Sequence, residues 1–92
     1  MNHAVAGQNE LQSDVAAQLL EFVSSEVLLV GDEIGPDTDL LLTGAVDSLG
    51  VIRITQWMED ELNISVDPGD VTLENFQTVS SMAAYVDSRP AV

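Results

Sequence analysis

Cysteine is missing from this 92-residue chain, and so is lysine. Without cysteine there is no disulfide framework, no thiolate zinc site and no thiol nucleophile. Arg53 and Arg89 are the only basic side chains against sixteen acidic ones, a net charge of −14. Such a surface repels phosphate backbones and anionic bilayers, so nucleic-acid and membrane binding are excluded as expectations. It favours a partner with a basic docking patch, steered in electrostatically, and it also keeps a small protein soluble. Long apolar runs are absent as well. "VLLV" and "LLL" fall far short of the roughly 20 residues of a membrane span. The opening "MNHAVAGQNE" has neither the basic nor the apolar region of a signal peptide. A soluble, cytoplasmic, monomeric protein is expected.

What is present suffices for a core, since 46% of the residues are apolar, and the length suits one domain. Residues 1–10 read as a flexible arm holding His3, the sole histidine, residues 11–89 as the folded domain, and 90–92 as a tail. From Ser13 or Asp14, either a plausible cap, a helical period places Val15, Ala16, Leu19, Val23 and Val27 on one face. That helix is expected to end near Val30, where "GDEIGPDTD" supplies turn residues. The connection up to Asp47 is too long for a tight turn and reads as an ordered loop pinned by Leu40 or Leu42. A second helix runs from the N-cap Asp47 to about Leu62. Ile64 and Val66 point inward, Asp67-Pro68 opens a brief helical turn through "VTLENF", and a last helix follows Thr78 with Val79, Met82, Ala83 and Val86 as its stripe. No strand alternation persists. The expected fold is all-α, a bundle of three main helices plus one short helix with a long first loop.

"GAVDSLGV", residues 44–51, poses the functional question. Ser48 could be a hydrolase nucleophile, but the G-x-S-x-G elbow needs a glycine where Val46 stands, a strand before it and a histidine base. Calcium binding fares no better. An EF-hand loop begun at Asp37 would place Asp37, Asp39, Leu41, Leu42 and Ser48 at its diagnostic positions, and only the first two fit. No metal site is expected. A third reading is that Ser48 carries a group. It sits at the first turn of a helix, where free N–H groups and the helix dipole favour a phosphate. Ser88, the other serine after an aspartate, falls at the wrong end of its helix.

"LLLTGAVDSLG", then "ISVDP" before a short helix and a V-x-x-M-A-x-x-V final helix, closely resembles the acyl carrier protein family, over residues 11–88. The resemblance implies 4′-phosphopantetheine attached to Ser48 by a phosphopantetheinyl transferase, with Asp47 capping the helix and assisting the magnesium-dependent transfer. The arm's thiol would hold an acyl or aminoacyl thioester, and the protein itself would catalyse nothing. Partner enzymes would read the exposed stripe of the second helix. At about 100° per residue, Val51, Ile54, Thr55, Met58 and Leu62 face the core with Ile52 at the margin, while Leu49, Arg53, Gln56 and Asp60 lie opposite with Trp57 beside them.

Arg53 departs from the acid common at that place in fatty-acid carriers. It is expected either to stack on Trp57 or balance Glu59 and Asp60, or to meet a particular partner. Gly50 and the loop approach look more like free-standing carriers loaded by an adenylating acyl or aminoacyl ligase and serving an acyltransferase or ketosynthase in polyketide or nonribosomal peptide (antibiotic) biosynthesis. The alternatives are a housekeeping fatty-acid carrier, a D-alanyl carrier and, in another class, an unmodified acidic adaptor for a basic protein.

Overall fold

The computed structural model describes residues 15–29 and 33–90. The expected arm, its His3, the Ser13 or Asp14 cap and the end of the tail lie outside the described residues. The chain is all-α, with no strand among the described residues. Helix α1, residues 15–22, runs on into a π-helical turn at Val23–Val27. Helix α2 spans Ser48–Leu62, a 3₁₀ turn occupies Pro68–Asp70, α3 is the single turn Leu73–Phe76, and α4 spans Val79–Ser88.

Caps set most of these boundaries. The side chains of Asp47, Asp67, Thr72 and Thr78 each accept a backbone N–H at the start of the element they precede, which satisfies donors that no carbonyl of the helix reaches. Asn63 ends α2 in the left-handed conformation at φ 55°, a backbone state asparagine tolerates better than most residues. Helix α1 stops earlier than the expected Val30. Leu28 is already extended, and its N–H returns to the Val23 carbonyl at the close of the π turn.

Leu19 of α1 and Val23 and Val27 of the π turn meet Val51, Ile54 and Met58 of α2 and Val79, Met82 and Val86 of α4 in one buried cluster. Ile64 and Val66 turn inward as expected, and Phe76 brings α3 onto the same core. Of the two leucines expected to pin the loop, Leu40 is fully buried whereas Leu42 is 70% exposed. Asp39 decides between them. Its Oδ1 accepts the N–H groups of Leu41 and Leu42 at 3.1 and 2.9 Å, and this Asx-type turn swings Leu42 outward.

The loop is stitched to the α3–α4 junction. Leu40 N donates to Gln77 O at 2.8 Å, Gln77 Nε2 to Asp39 Oδ2 at 2.9 Å, and Ser80 N to Pro36 O at 2.9 Å. The Gln77 amide and the two backbone N–H groups all favour the charged carboxylate, so the Asp39 pKa is held below its ordinary 3.8. Gly44 turns the chain at φ 79°, a conformation a side chain would strain. Val46 N then reaches Leu40 O and Leu29 N reaches Ala45 O, both at 2.9 Å. A long loop is thereby made into a fixed approach to Asp47.

Candidate functional site

Ser48 is the first residue of α2 and is exposed. Asp47 before it is extended (φ −100°, ψ −176°), and its Oδ1 accepts the Gly50 N–H at 2.9 Å. Its carbonyl takes the Val51 N–H at 3.0 Å. The hydroxyl therefore stands on a capped, rigid helix start, at the positive end of the helix dipole, where an anionic ester is favoured. Gly50 is buried, and a Cβ there would lie 2.6 Å from Val27 Cγ1 and 2.8 Å from Val46 Cγ1. Its missing side chain lets the start of α2 press against both the π turn and the loop.

Beside Ser48 opens a cleft of about 570 Å³. The loop contributes Leu41, Gly44 and Val46, α2 contributes Asp47, Ser48, Val51 and Ile52, and the far wall is Val71, Thr72, Leu73 and Phe76. Among the large exposed apolar side chains, Ile52, Val71 and Leu73 line this cleft, and Leu49 follows Ser48 directly. On so acidic a chain, grouped exposed apolar side chains mark a binding surface. Ile52, expected at the core margin, is 51% exposed and belongs to the cleft.

A clasp holds the far wall. Tyr85 Oη donates to Asp70 Oδ2 at 2.9 Å, Arg89 Nη1 lies 3.7 Å from the same oxygen, and Asn75 Nδ2 donates to Asp70 O at 2.9 Å. Burial first, then the carboxylate of Asp70, raises the Tyr85 pKa above its ordinary 10.0.

Leu49, Arg53, Gln56 and Asp60 are all exposed, in line along α2, while Trp57 is half-buried. The expected contacts of Arg53 within α2 need correction. The Arg53 guanidinium neither stacks on Trp57 nor balances Glu59 or Asp60. It crosses to the π turn that follows α1, where Nη1 donates to the Glu26 carbonyl and Nη2 lies 3.7 Å from Glu26 Oε1. Trp57 stacks on Phe22 of α1 instead, with centroids 5.2 Å apart and planes 17° from parallel. Glu59 caps another segment, accepting the Val66 N–H at 3.0 Å.

The loop before Ser48 is not the strand of a nucleophile elbow. Asp39, the second acid of the calcium-loop reading, spends its carboxylate on loop amides and Gln77. No group of three acids able to hold a metal occurs among the described residues. Sequence reasoning missed the cleft wall of Leu41, Val71 and Leu73. Its signal, apolar residues scattered through the long loop and the short helical turns, becomes a surface only once the topology joins them.

No curated protein matches the chain. The family described as "Phosphopantetheine attachment site" matches over residues 17–86, well over half of the chain and including Asp47, Ser48, the cleft and most of the core. The residues present fit the group that this family carries, since a phosphoester on an exposed first-turn serine meets a favourable dipole and an apolar cleft adjoins it. This helical chain belongs to the phosphopantetheine-attachment family, that of the acyl carrier proteins, whose domains bear a covalent 4′-phosphopantetheine.

Proposed function

We propose that Ser48 is the attachment residue and that the chain works as a carrier without catalytic activity of its own. The observation that carries this reading is the exposed Ser48 hydroxyl on the Asp47-capped first turn of α2, at the edge of the apolar cleft. When bound, the prosthetic group supplies a terminal thiol that holds an acyl or aminoacyl thioester. The chain's residues do the rest. Asp47 holds the helix start in register and offers an exposed carboxylate to the magnesium-dependent transfer. Val46, Val51, Ile52, Val71, Leu73 and Phe76 offer an apolar surface to whatever the arm carries. The absence of cysteine leaves the arm's thiol without competition from the protein.

The partners in this reading are a phosphopantetheinyl transferase, an adenylating acyl or aminoacyl ligase, and an acyltransferase or ketosynthase. They read Leu49, Arg53, Gln56 and Asp60, with Trp57 at the edge. Gly50 and Arg53 favour a discrete, ligase-loaded carrier, as in polyketide or nonribosomal peptide biosynthesis, over a housekeeping fatty-acid carrier; a D-alanyl carrier, which shares the glycine at that place, is the alternative. Arg53 supports this because a positive charge stands on the stripe, answering an acid on a partner rather than a base.

Intact mass after incubation with coenzyme A, magnesium and a broad-specificity phosphopantetheinyl transferase tests the assignment. Wild type gains one phosphopantetheinyl group and Ser48→Ala gains none. A folded wild type that gains nothing would leave Ser48 as a helix start and make the chain an acidic adaptor.

A further inference from the structure

A second groove lies along the seam of α1 and α2. It encloses about 280 Å³ and is lined by Gln18, Glu21, Phe22, Ser25, Glu26 and Trp57. Its polar groups are mostly acceptors. Glu21 brings a carboxylate, Glu26 brings a second that already faces Arg53, and the Ser25 hydroxyl donates its hydrogen to the Glu21 carbonyl at 2.7 Å, leaving its lone pairs. Its apolar part is the stacked pair of Phe22 and Trp57. Acceptors beside an aromatic pair suit a planar guanidinium, which spends its N–H donors on carboxylates and lays its face on a ring. One end of the seam already holds such a group, since Arg53 sits on the carbonyl and carboxylate of Glu26.

We propose that this groove docks an arginine side chain presented by a partner protein. The arginine has to come from outside, because the chain has only two. Arg53 lies against Glu26 of this same seam and Arg89 against Asp70, so neither could enter the groove of a second copy without giving up its own contact. Trp57 follows Ser48 by nine residues in one helix, which places it about 13 Å along the axis and roughly 180° around it. A partner seated in the groove therefore leaves Ser48 and its cleft uncovered. It occupies the Trp57 edge of the α2 stripe and leaves the face that bears Ser48 open. The inference does not depend on modification of Ser48.

The test uses a blocked peptide, Ac-Ala-Arg-Ala-Ala-Arg-Ala-NH₂, with its lysine counterpart as control. The chain's one tryptophan makes the emission of Trp57 a direct reporter, and amide NMR shifts locate the contact. Expected are an emission change and shifts centred on Gln18, Phe22 and Trp57, with weaker binding of the lysine peptide. Glu21→Gln lowers the affinity by about three- to fivefold, the size of one exposed charge pair, while Glu74→Gln, an exposed acid of α3, does not. Equal loss in both variants, equal binding of the lysine peptide, or shifts centred on residues 48–52 would overturn the proposal. So would the same shifts appearing without peptide as the protein is concentrated, which would put a second copy in the groove.

Discussion

Replacing Gly50 with alanine sets two effects of opposite sign against each other. Gly50 is the third residue of α2, and alanine in a helix gains roughly 0.5–1 kcal/mol over glycine. Against this, the added Cβ would meet Val27 Cγ1 at 2.6 Å and Val46 Cγ1 at 2.8 Å, far inside ordinary carbon–carbon contact. Neither valine can yield easily. Both are buried, at 4% and 2% exposure, and a β-branched side chain has little rotamer freedom. The backbone around them is tied by Val46 N to Leu40 O, Leu29 N to Ala45 O and Leu28 N to Val23 O. Overpacking of this kind costs about 1–3 kcal/mol, so the net loss is on the order of 0.5–2 kcal/mol. For a domain of this size that lowers Tm by roughly 2–16 °C, at about 4–8 °C per kcal/mol. Thermal unfolding followed by circular dichroism reads it. Val27→Ala opens a hole where the new methyl would go. The double variant should therefore be more stable than the two single losses summed, by about 1 kcal/mol. A Gly50→Ala protein that melts above wild type would show that only helix propensity matters here and that the seam between α2 and the π turn has slack.

Asp47→Ala removes the cap on Gly50 N and should cost about 1 kcal/mol, whereas Asp47→Asn keeps the acceptor and most of the stability; equal urea midpoints for wild type and the alanine variant would contradict the capping role. Because the folded pKa of Asp39 lies below 3.8, its contribution is complete above the unfolded value and lost as pH falls through the folded one. The stability gap between wild type and Asp39→Asn should therefore narrow below about pH 4, and a gap that stays constant into acid would refute this. Tyr85, the only tyrosine, should titrate above 10.0 by near-ultraviolet absorbance, and less so in Asp70→Asn. With the folded value raised, its stabilisation is present below the unfolded pKa and lost as pH rises through the folded one. A midpoint at or below 10.0 would deny the bond to Asp70.

Helix starts, core faces and the attachment candidate were legible in the residues alone. Asp47 and Thr78 were legible as helix starts because a capping side chain acts on its own next turn. Val51, Ile54 and Met58 were legible as core because periodicity alone says which side of a helix is apolar. Ser48 was marked out by the same local logic, by its place on a first turn. Tertiary structure decided what lies against each side. Arg53 finds Glu26, 27 positions away, and Asp39 finds Gln77, 38 positions away, pairings that no local spacing encodes. Trp57 could be placed beside the exposed stripe, but its partner Phe22 belongs to another helix. Leu40 and Leu42 were equal candidates until an Asx turn at Asp39 sent one in and the other out. Gly50 was visible only as a glycine after the DSL triplet. Its physical reason, a methyl's worth of space between α2, the π turn and the loop, exists only where three segments distant in the chain are packed together.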